Sequence, residues 1–175
     1  AWIDSNDHAI TIGPTTTFTG SSGLLKLGLG TLTLTGDSAA FTGTTTVSGG
    51  ELIVGTSAGG ALGGTIIVDN GLLGGTGTVD TVTINAGGIH APGNSIGVQH
   101  VAGDYVNHGT LRIEATPTDA DLVTVAGKVD IAGATLDLQL SPGDAASWGI
   151  FNGPFTIIDN QGDDPVTGSF LTPAT

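Results

Sequence analysis

The chain has 175 residues, of which 31 are Gly, more than twice the usual share of about 7%. Acids outnumber bases 16 to 3 for a formal charge of −13, so Lys26, Arg112 and Lys128 make no basic patch and nucleic acid is excluded as a partner. Hydrophobic residues at 38% are too many for a disordered acidic chain, and the absence of Cys removes disulfides, thiolate metal sites and Cys nucleophiles.

No window carries apolar residues at i, i+3, i+4 and i+7 without Gly or Thr runs interrupting it, so helices are not expected. Short runs of strand composition ending in turn residues take their place. In chain order they are TLTLTG (Thr31 to Gly36), TTTVSGG (Thr44 to Gly50), ELIVG (Glu51 to Gly55), TIIVDNG (Thr65 to Gly71) and TVTINAGG (Thr81 to Gly88). After these come TLRIEA (Thr110 to Ala115), DLVTVAG (Asp121 to Gly127), KVDIAG (Lys128 to Gly133), TLDLQL (Thr135 to Leu140) and FTIID (Phe155 to Asp159). The class is all-β. Apolar runs are only a few residues long, far short of a transmembrane helix, and no basic n-region with an apolar h-region opens the sequence.

The runs repeat. Leu32, Leu52 and Leu72 stand 20 residues apart, and Thr46–Val47 and Ile66–Ile67 share that offset. Related phrases follow at Ile89, Thr110 and Thr135, at spacings drifting through 18, 21 and 25 residues. A period near 20, with two or three strands per period and Gly or Asn at each corner, predicts one coil of a parallel β-helix. Leu, Ile and Val at alternate positions then form inward ladders, and Thr and Asp face water.

The segment GLGTLTLTGDSAAFTGTTTVSGGELIVG, Gly28 to Gly55, resembles the passenger-associated repeat of bacterial autotransporters. GGTGTVDTVTINAGGIHAPGNSIGVQHVAGDY, Gly74 to Tyr105, is similar to the phrase that commonly follows such repeats, with APGNSIG (Ala91 to Gly97) its most specific part. From Thr110 the chain resembles the C-terminal autochaperone region, through DADLVTVAGKVDIAGATLDLQL (Asp119 to Leu140), SWGIF (Ser147 to Phe151), FTIID and VTGSF (Val166 to Phe170). The resemblance implies a right-handed parallel β-helix, a solenoid with a C-terminal cap. Residues 1–100 are expected to form repeat coils, and residues 101–175 autochaperone-like coils and the cap. His90 stands where the family usually has Thr or a similar residue, and reads as a surface variation without a role. The absence of Met marks the chain as a fragment, or a processed product, of a longer protein.

Motifs that could carry chemistry compete with plainer readings. GTSAG, Gly55 to Gly59, satisfies the G-x-S-x-G pattern of a nucleophile elbow at Ser57, but GALGGTIIV follows where a helix is required. GGTGTVD, Gly74 to Asp80, is one residue from the calcium nonapeptide of β-rolls, yet occurs once where that site needs tandem copies. The pairs Asp119/Asp121 and Asp163/Asp164 could hold a hard cation or do acid–base work, and also suit acidic turns. A β-helix polysaccharide lyase would need a base, for which only Arg112 and Lys128 are available. His8, His90, His100 and His108 share no ligand spacing. Trp2, Trp148, Phe151, Phe155 and Phe170 read as core or cap residues, the C-terminal four covering an end that would otherwise expose strand edges.

The expected function is therefore structural, with no catalytic residues, cofactor or metal. The chain reads as the C-terminal stalk of a surface or secreted passenger of a Gram-negative bacterium. The resemblance implies that it nucleates β-helix folding and supports a virulence or adhesion function of the parent. Implied partners are the parent's linker and outer-membrane β-barrel, with a host-cell or matrix ligand possible. The alternative is an adhesin module that binds surfaces directly through Thr-rich faces such as Thr15 to Thr17 and Thr44 to Thr46.

Overall fold

The computed structural model describes residues 1–56, 59–141 and 154–171. It holds β1 (Trp2–Asp4), β2 (Ile10–Ile12), β3 (Leu24–Leu27), β4 (Thr31–Leu34), β5 (Asp37–Ser38), β6 (Thr44–Val47) and β7 (Glu51–Val54). β8 (Ala61–Gly75) and β9 (Thr78–Pro92) each run for 15 residues. β10 (Val98–Val101), β11 (Tyr105–Asn107), β12 (Thr110–Ala115), β13 (Leu122–Val125), β14 (Val129–Asp130), β15 (Thr135–Leu140) and β16 (Ile158–Asn160) follow. No helix occurs among the described residues, and the strands pair in parallel into a solenoid of about 6 turns.

The pairing resolves into three stacks. One runs β1-β3-β6-β8-β9-β11-β14, a second β2-β4-β7-β8-β9-β12-β15, and a third β5-β8-β9-β10-β13-β16. β8 and β9 belong to all three because each bends round two corners without losing its ladder bonds, with register irregularities between Leu62 and Thr65 and between Val68 and Asn70. Gly64 makes the first of these corners possible. Its φ is +73°, and a Cβ there would collide with the Gly43 carbonyl of the coil below.

Inward residues stack into ladders, as their alternate burial requires. Leu24, Thr45, Ile66, Val82, Tyr105 and Val129 form one, and Ile3, Lys26, Val47, Val68, Ile84 and Asn107 its neighbour on the same stack. Leu62, Val79, Val101 and Val125 line the third stack. On the second stack the ladder is Ile10, Leu32, Leu52, Leu73, His90, Leu111 and Leu136.

That last ladder corrects the strict 20-residue register. Leu32 does stack on Leu52, but Leu52 stacks on Leu73, while Leu72 pairs with Glu51 and points outward. Thr46 and Val47 likewise meet Ile67 and Val68, at an offset of 21. A one-residue slip exchanges the two faces of a strand, so an offset fixed at 20 would have placed Leu72 in the core. The next coil is shorter, with Leu73 opposite His90, and the later offsets of 21 and 25 at Thr110 and Thr135 hold as expected.

Thr44 to Thr46 is not one outward face either. Thr44 and Thr46 point out, but Thr45 is fully buried between Leu24 and Ile66, and its hydroxyl is the one buried side-chain oxygen or nitrogen without a partner among the described residues. An unsatisfied buried hydroxyl is destabilising, and Val has the same branched shape without it. Thr45→Val is therefore expected to raise the unfolding free energy by about 1 kcal/mol in guanidinium titration; a lower midpoint at unchanged slope would contradict this account of the ladder.

Candidate functional site

In its first coils the interior is apolar but for Lys26, Thr45, Ser5 and Ser38, and one level farther along it carries a polar cluster. His90, Gln99, Tyr105 and Asn107 are all fully buried. His90 Nδ1 lies 2.8 Å from Tyr105 Oη, and His90 Nε2 lies 2.8 Å from Gln99 Oε1. Gln99 Nε2 donates to the Gly74 carbonyl at 3.1 Å, and Asn107 Nδ2 donates to Tyr105 Oη at 2.9 Å. Asn107 Oδ1 accepts the Gly109 N–H at 2.9 Å. The four side chains come from β9, β10 and β11, so the chain crosses the interior from one stack to the others.

These bonds fix every proton. The Gln99 amide spends its N–H on Gly74, leaving only its oxygen toward His90, so His90 carries its proton on Nε2. Nδ1 is then an acceptor, and Tyr105 donates to it. Asn107 in turn donates to the Tyr105 oxygen. The result is a one-way chain from Asn107 to Gly74 that holds only with neutral His90. Burial pushes the His90 pKa down to about 4, with the Gln99 bond opposing, and burial raises that of Tyr105 above the usual phenol range. His90 is thus no surface variation. It takes a Leu position in the ladder, between Leu73 and Leu111, which alternation from Ile89 would have shown once the register was known.

Asp121 makes a second polar fixture. It is buried, accepting the Gly97 N–H at 2.8 Å on Oδ1 and the Glu114 N–H at 2.7 Å on Oδ2. One carboxylate thereby ties the APGNSIG turn, where Ser95 has φ +71° and Gly93 φ +97°, to the end of β12. Burial raises its pKa to about 6 against the lowering effect of the two N–H bonds. Lys26, the third fixture, takes an inward rung between Ile3 and Val47, and its ammonium donates to the carbonyls of Leu27, Gly28 and Gly49 at 2.9, 2.9 and 3.0 Å. Three donors meet three acceptors. Burial lowers its pKa, with Asp4 and Glu51 opposing.

The other sequence candidates do not converge. Asp119 bonds the N–H of Ala120 on the surface, so it forms no pair with Asp121. Arg112 Nε pairs with Asp137 at 2.9 Å on the second stack, while Lys128 pairs with Asp164 at 3.4 Å beside the first. Asp80 is an exposed residue of β9, one coil beyond Gly74. No group of three or more His, Asp or Glu side chains able to hold a metal ion occurs among the described residues. His8 and His100 are exposed, His100 bonding Thr124, and His108 lies 3.8 Å from Asp130. Thr15 to Thr17 are exposed as expected. Trp2 is 70% exposed, so it is not a core residue; Phe170 packs against the core, and Phe155 lines an apolar groove with Leu138, Leu140 and Ile157. Ser57, Trp148 and Phe151 lie outside the described residues.

Comparison with known proteins bears on the same segments. Residues 24–54 match the family model of the passenger-associated-transport-repeat. The chain is 38% identical over 141 residues to the Adhesin BmaC autotransporter of Brucella suis biovar 1 (strain 1330). That match covers 75% of this chain, which spans 4% of the length of the relative. No solved structure matches the chain.

Asp121→Ala removes both acceptor oxygens, so the N–H groups of Gly97 and Glu114 lose their buried partner. The expected cost is about 1–3 kcal/mol in guanidinium unfolding. No change in the midpoint would mean that the turn is held without this side chain.

Proposed function

The chain is part of an autotransporter passenger domain, and we propose that it is a non-enzymatic length of the parent's β-solenoid stalk whose coils from about Val101 to Phe170 fold first and template those before them. Its place is the cell surface or outer membrane of a Gram-negative bacterium, or the medium around it.

The observation that carries this reading is the uneven distribution of specific polar fixtures. Lys26 aside, the polar residues buried in the first coils are the small hydroxyl residues Ser5, Ser38 and Thr45, set among stacked Leu, Ile and Val. Farther along, the buried His90 chain joins His90 and Gln99 to Tyr105 and Asn107 of the later coils, and the Asp121 clamp holds Gly97 and Glu114. Buried polar groups penalise wrong registers, since a slip leaves them without partners. In a stacked repeat the first coil is the costly one, and each further coil adds only contacts with its neighbour. Residues 1–100 are then template-dependent coils and residues 101–175 the nucleating unit and cap.

Adhesion is proposed for the parent protein because its Brucella relative is an adhesin. The cations expected of a lyase are engaged with acids on different stacks, which supports a scaffold over an enzyme. Guanidinium unfolding and refolding of the whole chain beside a truncation ending at His100, followed by circular dichroism, tests the nucleation role. The whole chain is expected to refold cooperatively and the truncation to stay unfolded or aggregate; equal refolding of the two would overturn that role. Micromolar coating of cells by the purified chain would instead favour direct adhesion by this segment.

A further inference from the structure

The His90 chain has a consequence beyond register. Protonated His90 presents N–H at both ring nitrogens. Nε2 still serves Gln99, but Nδ1 then faces the Tyr105 hydroxyl, whose oxygen already accepts from Asn107. The Tyr105 proton loses its acceptor, and a cation stands in the ladder between Leu73 and Leu111. We propose that the coil joining β9 to β11 is an acid-labile joint, at which protonation of His90 opens the solenoid locally and uncouples the coils before it from those after it.

No counter-charge is poised to rescue the protonated ring. The titratable groups on the elements packed around it are Asp69 on β8, Asp80 on β9, His100 on β10, and Arg112 and Glu114 on β12, and all five sit at outward positions of the alternation. Tyr105 on β11 is the hydrogen-bond partner itself. Asp121 is buried, but its two oxygens are turned to Gly97 and Glu114.

The sign follows from the direction of the shift. His90 titrates lower in the fold than its ordinary 6.5, so its contribution to stability is complete above about pH 6.5 and is lost as the pH falls toward 4. Asp121 works the other way. Its pKa, raised from 3.8 to about 6, lets the fold take up a proton first and gain stability over that interval. Total stability therefore hides the effect, and a comparison in which Asp121 is common to both arms reveals it.

The test is amide hydrogen exchange by mass spectrometry on the full chain and on His90→Gln, at pH 7.5 and 4.5, corrected for intrinsic exchange. Gln can accept from Tyr105 and donate to Gln99 without titrating. Between the two pH values, wild-type peptides spanning 84–113 are expected to lose on the order of 50-fold more protection than those of the variant, while peptides over 31–54 behave alike in both. Equal loss in the two proteins, or loss spread evenly along the chain, would overturn the joint. Should His90→Gln fail to fold, the His90 ring proton resonance in the wild type decides. A ring that stays neutral until protection at 84–113 collapses supports the joint; a ring that titrates near 6.5 with protection intact overturns it.

Discussion

A parallel coil buries its interior only if every turn presents its inward side chains directly above those of the turn below, and the rest of this structure depends on that alignment. The strand ladder supplies the repeat distance, and the apolar ladders make one register better than its neighbours. Coil length is free to vary as long as the strands return to phase, and here it does. Corners absorb the differences, with bulges near Gly63–Gly64 and Asp69–Asn70 and a shortened step from β8 to β9. High Gly content follows from this geometry, since corners of adjacent coils lie backbone against backbone where a Cβ would collide.

Against that apolar background, buried polar groups act as markers of position. Lys26 is fixed by three carbonyls of two successive corners, and Asp121 by two amides of separate segments. His90, Tyr105, Gln99 and Asn107 satisfy one another across the interior. Each arrangement exists in one register only, and each would strand a donor or acceptor in any other. A stack of near-identical coils lacks such markers by default.

The same economy decides where the acidic side chains go. Acidic side chains are numerous, but the alternation sends most of them outward along separate stacks, paired with local N–H groups or with the few cations. The buried ones are consumed by structure.

Strand composition, Gly corners and a period near 20 were enough to specify an all-β parallel solenoid, because those features report local backbone preferences that each coil repeats. The phrases around Gly28 to Gly55 marked the family for the same reason. The site was far less legible. Register between coils depends on how many residues each corner takes up, so Leu73 rather than Leu72 entered the core, and Thr45 turned inward from a run that looked uniformly exposed. His90 and Gln99 are nine residues apart, His90 and Tyr105 fifteen, and no spacing rule joins them. Only stacking of three separate strands around one interior brought them within hydrogen-bond distance, and only the burial that stacking creates changed their chemistry.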